Sequence, residues 1–291
     1  MLGISGSGYP IFEREYIVTT PDMNDVKGYG VVVTGGASGL GLGFTEALSE
    51  AGARVTMLDM NAGRIAQEVA RLQGEGRDVR GAVLDVTDHA ALDREIDAAA
   101  SLYGRLDVVF ANAGIDPGPG FIQGGPQRTR NPQGALENYS DERWNRVIDI
   151  SLNGVFATAR AAARHMRPRK FGRIIITTSL AAFKCEPLIG TAYMAAKAGA
   201  MQFMRHIALE LAADNITVNA IAPGFVVTNI NDGKGQNPEV QAAVGALVPM
   251  HRVGMPSDLK GLALLLCSSA GAYITGQQIA VDGGFGLGLA D

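Results

Sequence analysis

From residue 29 onward the chain alternates two hydrophobic patterns. Short apolar runs occupy Val31–Thr34, Val55–Leu58, Val79–Leu84, Val108–Ala111, Ile174–Thr178, Thr217–Ile221 and Ile279–Val281. Between them, apolar residues recur at three- and four-residue intervals near 42–51, 61–73, 89–102, 139–166, 193–213 and 256–270. The first pattern predicts strands, the second predicts helices with one apolar face. Strands that read as continuous apolar runs and alternate with helices predict an α/β fold, a doubly wound parallel sheet of about seven strands. Right-handed crossovers then collect the strands' C-terminal ends on one edge, where a ligand binds.

The alternation runs to the end without a linker, so residues 28–291 are expected to form a single domain. Residues 1–27 stand apart as an N-terminal extension, with a flexible Gly3–Gly8 stretch and an apolar Tyr16-Ile17-Val18 suited to an edge strand or a docking contact. After Gly114 the rhythm breaks. Residues 116–138 are rich in Gly, Pro, Gln and Arg, far longer than the ~2–6 residues usual between a strand and a helix. This insertion leaves the ligand edge of the sheet, so it is expected to form a lid or a wall of the substrate pocket, with a surface used in subunit contacts as the alternative. A second irregular stretch, 225–252, is punctuated by Gly233, Gly235 and Pro238 and reads as a flap over the site.

The first strand runs into Thr34-Gly35-Gly36-Ala37-Ser38-Gly39-Leu40-Gly41, where Thr34 opens the turn, and a helical pattern follows at Phe44, Ala47, Leu48 and Ala51. A tight glycine turn into a helix N-terminus aims backbone N–H groups and the positive helix end at an anion, typically a pyrophosphate. Gly35, Ser38, Gly39, Leu40 and Gly41 are the expected contacts. Asp59, with Met60 beside it, ends the second strand, where a carboxylate accepts hydrogen bonds from both ribose hydroxyls of an adenosine. It repels a 2′-phosphate by about 4 kcal/mol at ~4 Å in an effective dielectric of ~20. The expected cofactor is therefore NAD. Asp85-Val86 and Asn112-Ala113-Gly114 close the next two strands on the same edge, suited to the adenine amino group and to close backbone approach to a ribose.

Composition narrows the class. A net charge of −4 with scattered basic residues gives no electrostatic footprint for nucleic acid. Cys185 and Cys267 make no disulfide framework and have no metal-like spacing, so no metal is expected. The apolar run Leu262–Leu266 falls far short of the ~20 residues of a membrane span. With no signal-peptide pattern either, the expected place is the cytoplasm.

Tyr193 and Lys197, spaced i, i+4 at the start of a helical pattern, share one helix face, and Ser179 closes the strand before them. This trio suits proton transfer at an alcohol. Lowering a phenol by about three units from ~10 takes about 4 kcal/mol of preferential stabilisation of the phenolate. A neighbouring ammonium and an oxidised nicotinamide supply charge of the right sign. Ser179 would position the substrate oxygen without acting as a nucleophile.

Together these residues resemble the short-chain dehydrogenase/reductase family in its single-domain branch of about 250 residues. The matching features are T-G-x-x-x-G-x-G at Thr34–Gly41, Asp59, Asp85, N-A-G at Asn112–Gly114, Ser179, Y-x-x-x-K at Tyr193–Lys197, and Pro223-Gly224 with Thr228, in the family's order. The resemblance implies a Rossmann fold and hydride transfer between nicotinamide C4 and a carbinol carbon. It also implies that Lys197 bonds the nicotinamide ribose, and that Pro223, Gly224, Val226 and Thr228 border the nicotinamide half. Where the family carries Asn in the central helix, this chain has Ser151, followed by Leu152, Asn153 and Gly154. The resemblance places a proton-relay water on the main-chain carbonyl at that position, which the change to Ser preserves.

The expected activity is interconversion of a secondary alcohol and a ketone, with the apolar Ala181–Gly190 stretch lining a hydrophobic substrate site. Two alternatives stand beside it: a 3-oxoacyl thioester reductase, and a catalytically silent NAD-binding redox sensor. The stripe Ala196, Ala200, Phe203, Ile207 and Leu211 suits core packing, and by resemblance this helix packs in a homo-oligomer, dimer or tetramer.

Overall fold

A computed structural model of the chain describes residues 23–115, 118–123, 128–228 and 237–288. Most of the N-terminal extension, residues 116–117 and 124–127 of the insertion, and 229–236 of the flap lie outside the described residues.

Seven parallel strands form the central sheet: β1 (Gly30–Thr34), β2 (Arg54–Asp59), β3 (Val79–Val83), β4 (Val108–Ala111), β7 (Gly172–Thr177), β8 (Ile216–Pro223) and β9 (Gln278–Val281). Their order is β3-β2-β1-β4-β7-β8-β9. Every apolar run of the sequence is one of these strands. The runs are unbroken because successive residues serve opposite faces. Val32, Leu58, Val109 and Ile174 enter one core with α3 (His89–Tyr103), α5 (Gly154–Met166) and α6 (Thr191–Leu211). Val31, Val33, Val55 and Phe110 enter the other, with α1 (Gly39–Glu50), α2 (Ala62–Gly74) and α8 (Ser257–Cys267). There Phe44 stacks on Phe110 with ring centroids 4.7 Å apart.

The helix expected over 139–166 is two helices. Ser140 caps α4 (Asp141–Ile148) by accepting from Arg143 N at 3.3 Å, and a π-turn over Asp149–Asn153 leads into α5. Apolar spacing does not reveal a π-turn, because one extra residue in one turn shifts the pattern no more than an irregular stripe does. The turn buries Ser151 completely, while Asn153 donates from Nδ2 to Asp149 Oδ1 at 2.9 Å in an exposed bond.

The irregular stretches contain structure the sequence did not predict. A two-stranded hairpin, β5 (Ile122–Gln123) with β6 (Thr129–Arg130), lies in the insertion. In the flap, α7 (Pro238–Gly245) starts behind Asn237, whose side chain accepts from Glu239 N at 2.8 Å.

At the N-terminal edge of the sheet, Asp107 is wholly buried. It accepts from Gly30 N at 2.9 Å, Arg105 Nη2 at 2.8 Å and Arg169 Nη2 at 2.9 Å, tying the start of β1 to the segments before β4 and β7. Tyr193, Ser179 and the glycine turn all lie toward the opposite edge.

Candidate active site

The chain leaves β1 at Thr34 and turns into α1 through Gly35 and Gly39, whose φ angles of +65° and +53° lie in the left-handed region that favours glycine. A Cβ on Gly41 would stand 2.0 Å from the Gly35 carbonyl oxygen and 2.6 Å from Asn112 Nδ2. The first turn of α1 is thus pressed onto the glycine turn. Ser38 stands at the N-cap in an extended conformation without a side-chain cap bond, and no acidic residue occupies the first helical turn. The N-terminus of α1 keeps its positive character for an anion.

Asp59 is fixed beside this turn: Oδ2 accepts from Ala37 N at 3.2 Å and Oδ1 from Asn61 N at 3.0 Å. Met60 is 70% exposed next to it. From the end of β8 the chain runs through Pro223, Gly224 and Val226 back to the glycine turn. Gly224 N donates to Val281 O at 3.0 Å, Val226 bridges Gly254, and the Thr228 side chain faces Gly39. The glycine turn, Asp59 and the Pro223–Thr228 segment thus meet from positions far apart in sequence.

Asn112 joins the floor to the catalytic side. Its Nδ2 donates to Thr34 O at 3.0 Å, its main-chain N donates to Thr34 Oγ1 at 3.0 Å, and its Oδ1 accepts from Thr177 Oγ1 at 2.9 Å. Ala113 N adds a bond to Thr34 Oγ1 at 3.1 Å. One amide side chain spans β1, β4 and β7. Asp85 closes its own turn, its Oδ1 accepting from Thr87 N at 2.9 Å and Thr87 Oγ1 at 2.8 Å, and Val86 packs against Gly154 at the start of α5.

Lys197 points from α6 into the sheet end. It is buried, and its Nζ donates to Thr177 O at 2.7 Å. That ammonium lies 5.4 Å from the centroid of the Tyr193 ring, one helical turn earlier. Burial brings its pKa down from 10.5 to about 8, since the charged form gives up hydration that one carbonyl replaces only in part. Gly114 sits where a side chain would meet both Lys197 Nζ and Ser151 Oγ, at 3.4 and 3.6 Å. Ser151 Oγ accepts from Ile115 N at 3.4 Å, so the residue replacing the family's Asn holds the end of the Asn112–Gly114 turn. Ser179 lies two residues beyond Thr177, at the mouth, its Oγ accepting from Ala181 N at 3.2 Å.

The structure thus brings Lys197, Tyr193, Gly114 and Ser151 together, with Ser179 on the adjoining strand end, and sets the glycine turn, Asp59 and Thr228 beside them. Sequence reasoning opened the glycine turn at Thr34 without giving its hydroxyl a role, and passed over Thr177. Their signal was present: each is a threonine closing an apolar strand, where a hydroxyl bonds across to neighbouring strand ends. Among the described residues no group of His, Cys, Asp and Glu is placed to hold a metal ion. No helix among them is long and apolar enough to cross a membrane.

Comparison with known proteins shows the family and the fold. The family model described as enoyl-(acyl carrier protein) reductase matches residues 35–286. The chain is 36% identical over 266 residues to 3beta-hydroxysteroid dehydrogenase 1 of Eggerthella lenta, covering 91% of this chain and 96% of that protein. It is 34% identical over 256 residues to the 3-oxoacyl-(acyl-carrier-protein) reductase FabG of Chlamydia muridarum, covering 87% and 95%. Among solved structures, gluconate 5-dehydrogenase from Burkholderia cenocepacia in complex with NADP and tartrate superposes with a TM-score of 0.80 at 29% identity, covering 92% and 99%.

Proposed function

The chain belongs to the short-chain dehydrogenase/reductase family, oxidoreductases that use a nicotinamide cofactor, and on that premise we propose that it interconverts a secondary alcohol and a ketone with NAD. The single observation that carries the mechanism is the buried Lys197 ammonium, fixed on Thr177 O at 2.7 Å beside the Tyr193 ring. A positive charge held in low dielectric next to a phenol favours the phenolate. The Tyr193 hydroxyl then takes the alcohol proton in oxidation and returns it in reduction. Ser179 Oγ positions the substrate oxygen by hydrogen bonding. With a pKa of about 8, Lys197 also exchanges a proton readily near neutral pH. Ser151 keeps the Gly114–Ile115 turn in place and leaves its own main-chain carbonyl to a relay water.

Gly35 through Gly41, Asp59, Asn112–Gly114 and Pro223–Thr228 are the residues that would hold the cofactor. When bound, it supplies the acceptor or donor of hydride. Asp59 is the reason for choosing NAD over NADP: it stands against the glycine turn with Met60, not a cation, beside it. The relatives' names span a hydroxysteroid dehydrogenase and an acyl-carrier-protein reductase, and the acidic Asp59 favours the first direction. The chain is further proposed to act as a dimer or tetramer. An apolar groove of about 420 Å³ between α5 and α6, lined by Phe156, Ala159, Phe203 and Ile207, offers a second copy a seat.

Tyr193→Phe tests the reading. NADH binding, followed by fluorescence titration, should persist while alcohol turnover falls by roughly 10²-fold or more. Undiminished turnover in this variant would sink the mechanism, and turnover absent from both forms would leave a silent dinucleotide-binding protein.

A further inference from the structure

The insertion after Gly114 is fastened to the segment that links Ser179 to Tyr193. Gly120 N donates to Leu188 O at 3.0 Å, Ile122 N donates to Pro187 O at 3.1 Å, and Pro119 forms an antiparallel bridge with Ile189. The join ends one residue before Gly190, the N-cap of the helix that carries Tyr193. The backbones are in van der Waals contact here, since a Cβ on Gly120 would lie 2.1 Å from Pro187 O.

Asn131 holds this arrangement from behind. It is buried; its main-chain N donates to Phe121 O at 2.8 Å, its Nδ2 to Gly120 O at 3.1 Å, and its Oδ1 accepts from Gln133 N at 3.2 Å. Arg143 of α4 adds Nη1 to Gln133 O at 3.0 Å and Nη2 to Pro119 O at 3.2 Å. A backbone fixed by this many bonds still carries large apolar side chains out of the core. Phe121 is 48% exposed, and Phe183 and Leu188 of the partner segment are 53% and 44% exposed. Rigid apolar side chains beside a few polar groups are what a small-molecule pocket presents.

We infer that the described part of the insertion, residues 118–123 with 128–138, is the specificity wall of the substrate site, selecting secondary alcohols and ketones whose carbinol carbon carries a bulky apolar group. Phe121 meets that group, and Asn131 is a positioning residue acting through Gly120 and Phe121. The inference rests on the alcohol–ketone reading above and names its substrate class.

The test separates the two. Binding of 2-decalone, a fused-ring ketone, is measured by calorimetry in the presence of oxidised NAD, with which a ketone cannot react, for wild type, Phe121→Ala and Asn131→Ala. Turnover of 2-decalol and of 2-butanol is measured alongside. The wall predicts that Phe121→Ala weakens 2-decalone by roughly tenfold, the scale of lost apolar contact in a pocket, and leaves NADH affinity within about twofold. Asn131→Ala should raise KM for 2-decalol with kcat nearly kept. Equal 2-decalone affinity in wild type and Phe121→Ala, or none in wild type, overturns the wall whatever the turnover. Failure of wild type to oxidise either alcohol, with decalone binding intact, overturns the alcohol reading and leaves the wall standing. A change of molecular mass in Phe121→Ala without any change in ligand affinity also overturns the wall, and makes the insertion a subunit contact.

Discussion

Replacing Lys197 by methionine should stabilise the protein while disabling it, and the stability effect should depend on pH. The native pKa of about 8 lies below the ordinary 10.5 because burial disfavours the charge. Each tenfold in proton affinity is worth about 1.4 kcal/mol, so holding the ammonium in the native state at neutral pH costs about 3 kcal/mol. That cost already includes the bond to Thr177 O. Lys197→Met removes the cost but leaves the buried Thr177 carbonyl oxygen without this donor, at about 2 kcal/mol, for a net gain of about 1 kcal/mol near pH 7. The melting temperature should rise by roughly 2–4 °C. The sign follows from linkage. Between about pH 8 and pH 10.5 the unfolded chain binds the proton that the native chain has lost, so wild-type stability rises with pH through that window relative to the variant. The advantage of Lys197→Met is therefore full below pH 8 and shrinks or reverses by about pH 10. Thermal melts of both proteins without cofactor, at several pH values across that window, read this directly. A gap in melting temperature that stays constant with pH would refute the argument, as would a large loss of stability in the variant at pH 7.

Two other outcomes are expected. Asp59→Ser removes the carboxylate beside the glycine turn and should raise the affinity for NADPH relative to NADH by roughly 10- to 100-fold, well below the full Coulomb term because water screens an exposed 2′-phosphate; tighter NADPH binding by the wild type, on fluorescence titration, would contradict the NAD assignment. Light scattering should give a mass of two or four chains of 30.4 kDa, and Phe156→Glu with Phe203→Glu should lower it; a wild-type monomer would refute the α5–α6 seat.

The strands and most helices were legible because each rests on local pattern: Val31–Val33 reads as buried on both faces and is. The π-turn at Asp149–Asn153 was not, since periodicity averages over a single extra residue. The capping signature of α7, Asn237-Pro238-Glu239, was on the page and was overlooked among the glycines around it. Residue types also marked Tyr193, Lys197 and Asp59 as a set, but not how they are held. Asn112 reaching Thr34 and Thr177, or Gly120 laid against Leu188, are pairings between distant segments that have no local trace. The union of the insertion with the Ser179–Tyr193 segment belongs to this class, which is why the sequence left a subunit contact open beside a lid or pocket wall.

Asp107 and its two arginines lie at the far end of the sheet from every residue assigned to chemistry. The strand starts are therefore locked by one set of bonds while the strand ends are free to carry loops of differing length and composition. If the proposed wall sets the substrate, loop exchange at residues 118–138 or 181–190 should retarget the enzyme without drawing on the clamp that orders β1, β4 and β7. Diversification of substrate range and retention of fold are, in this chain, tasks for different residues.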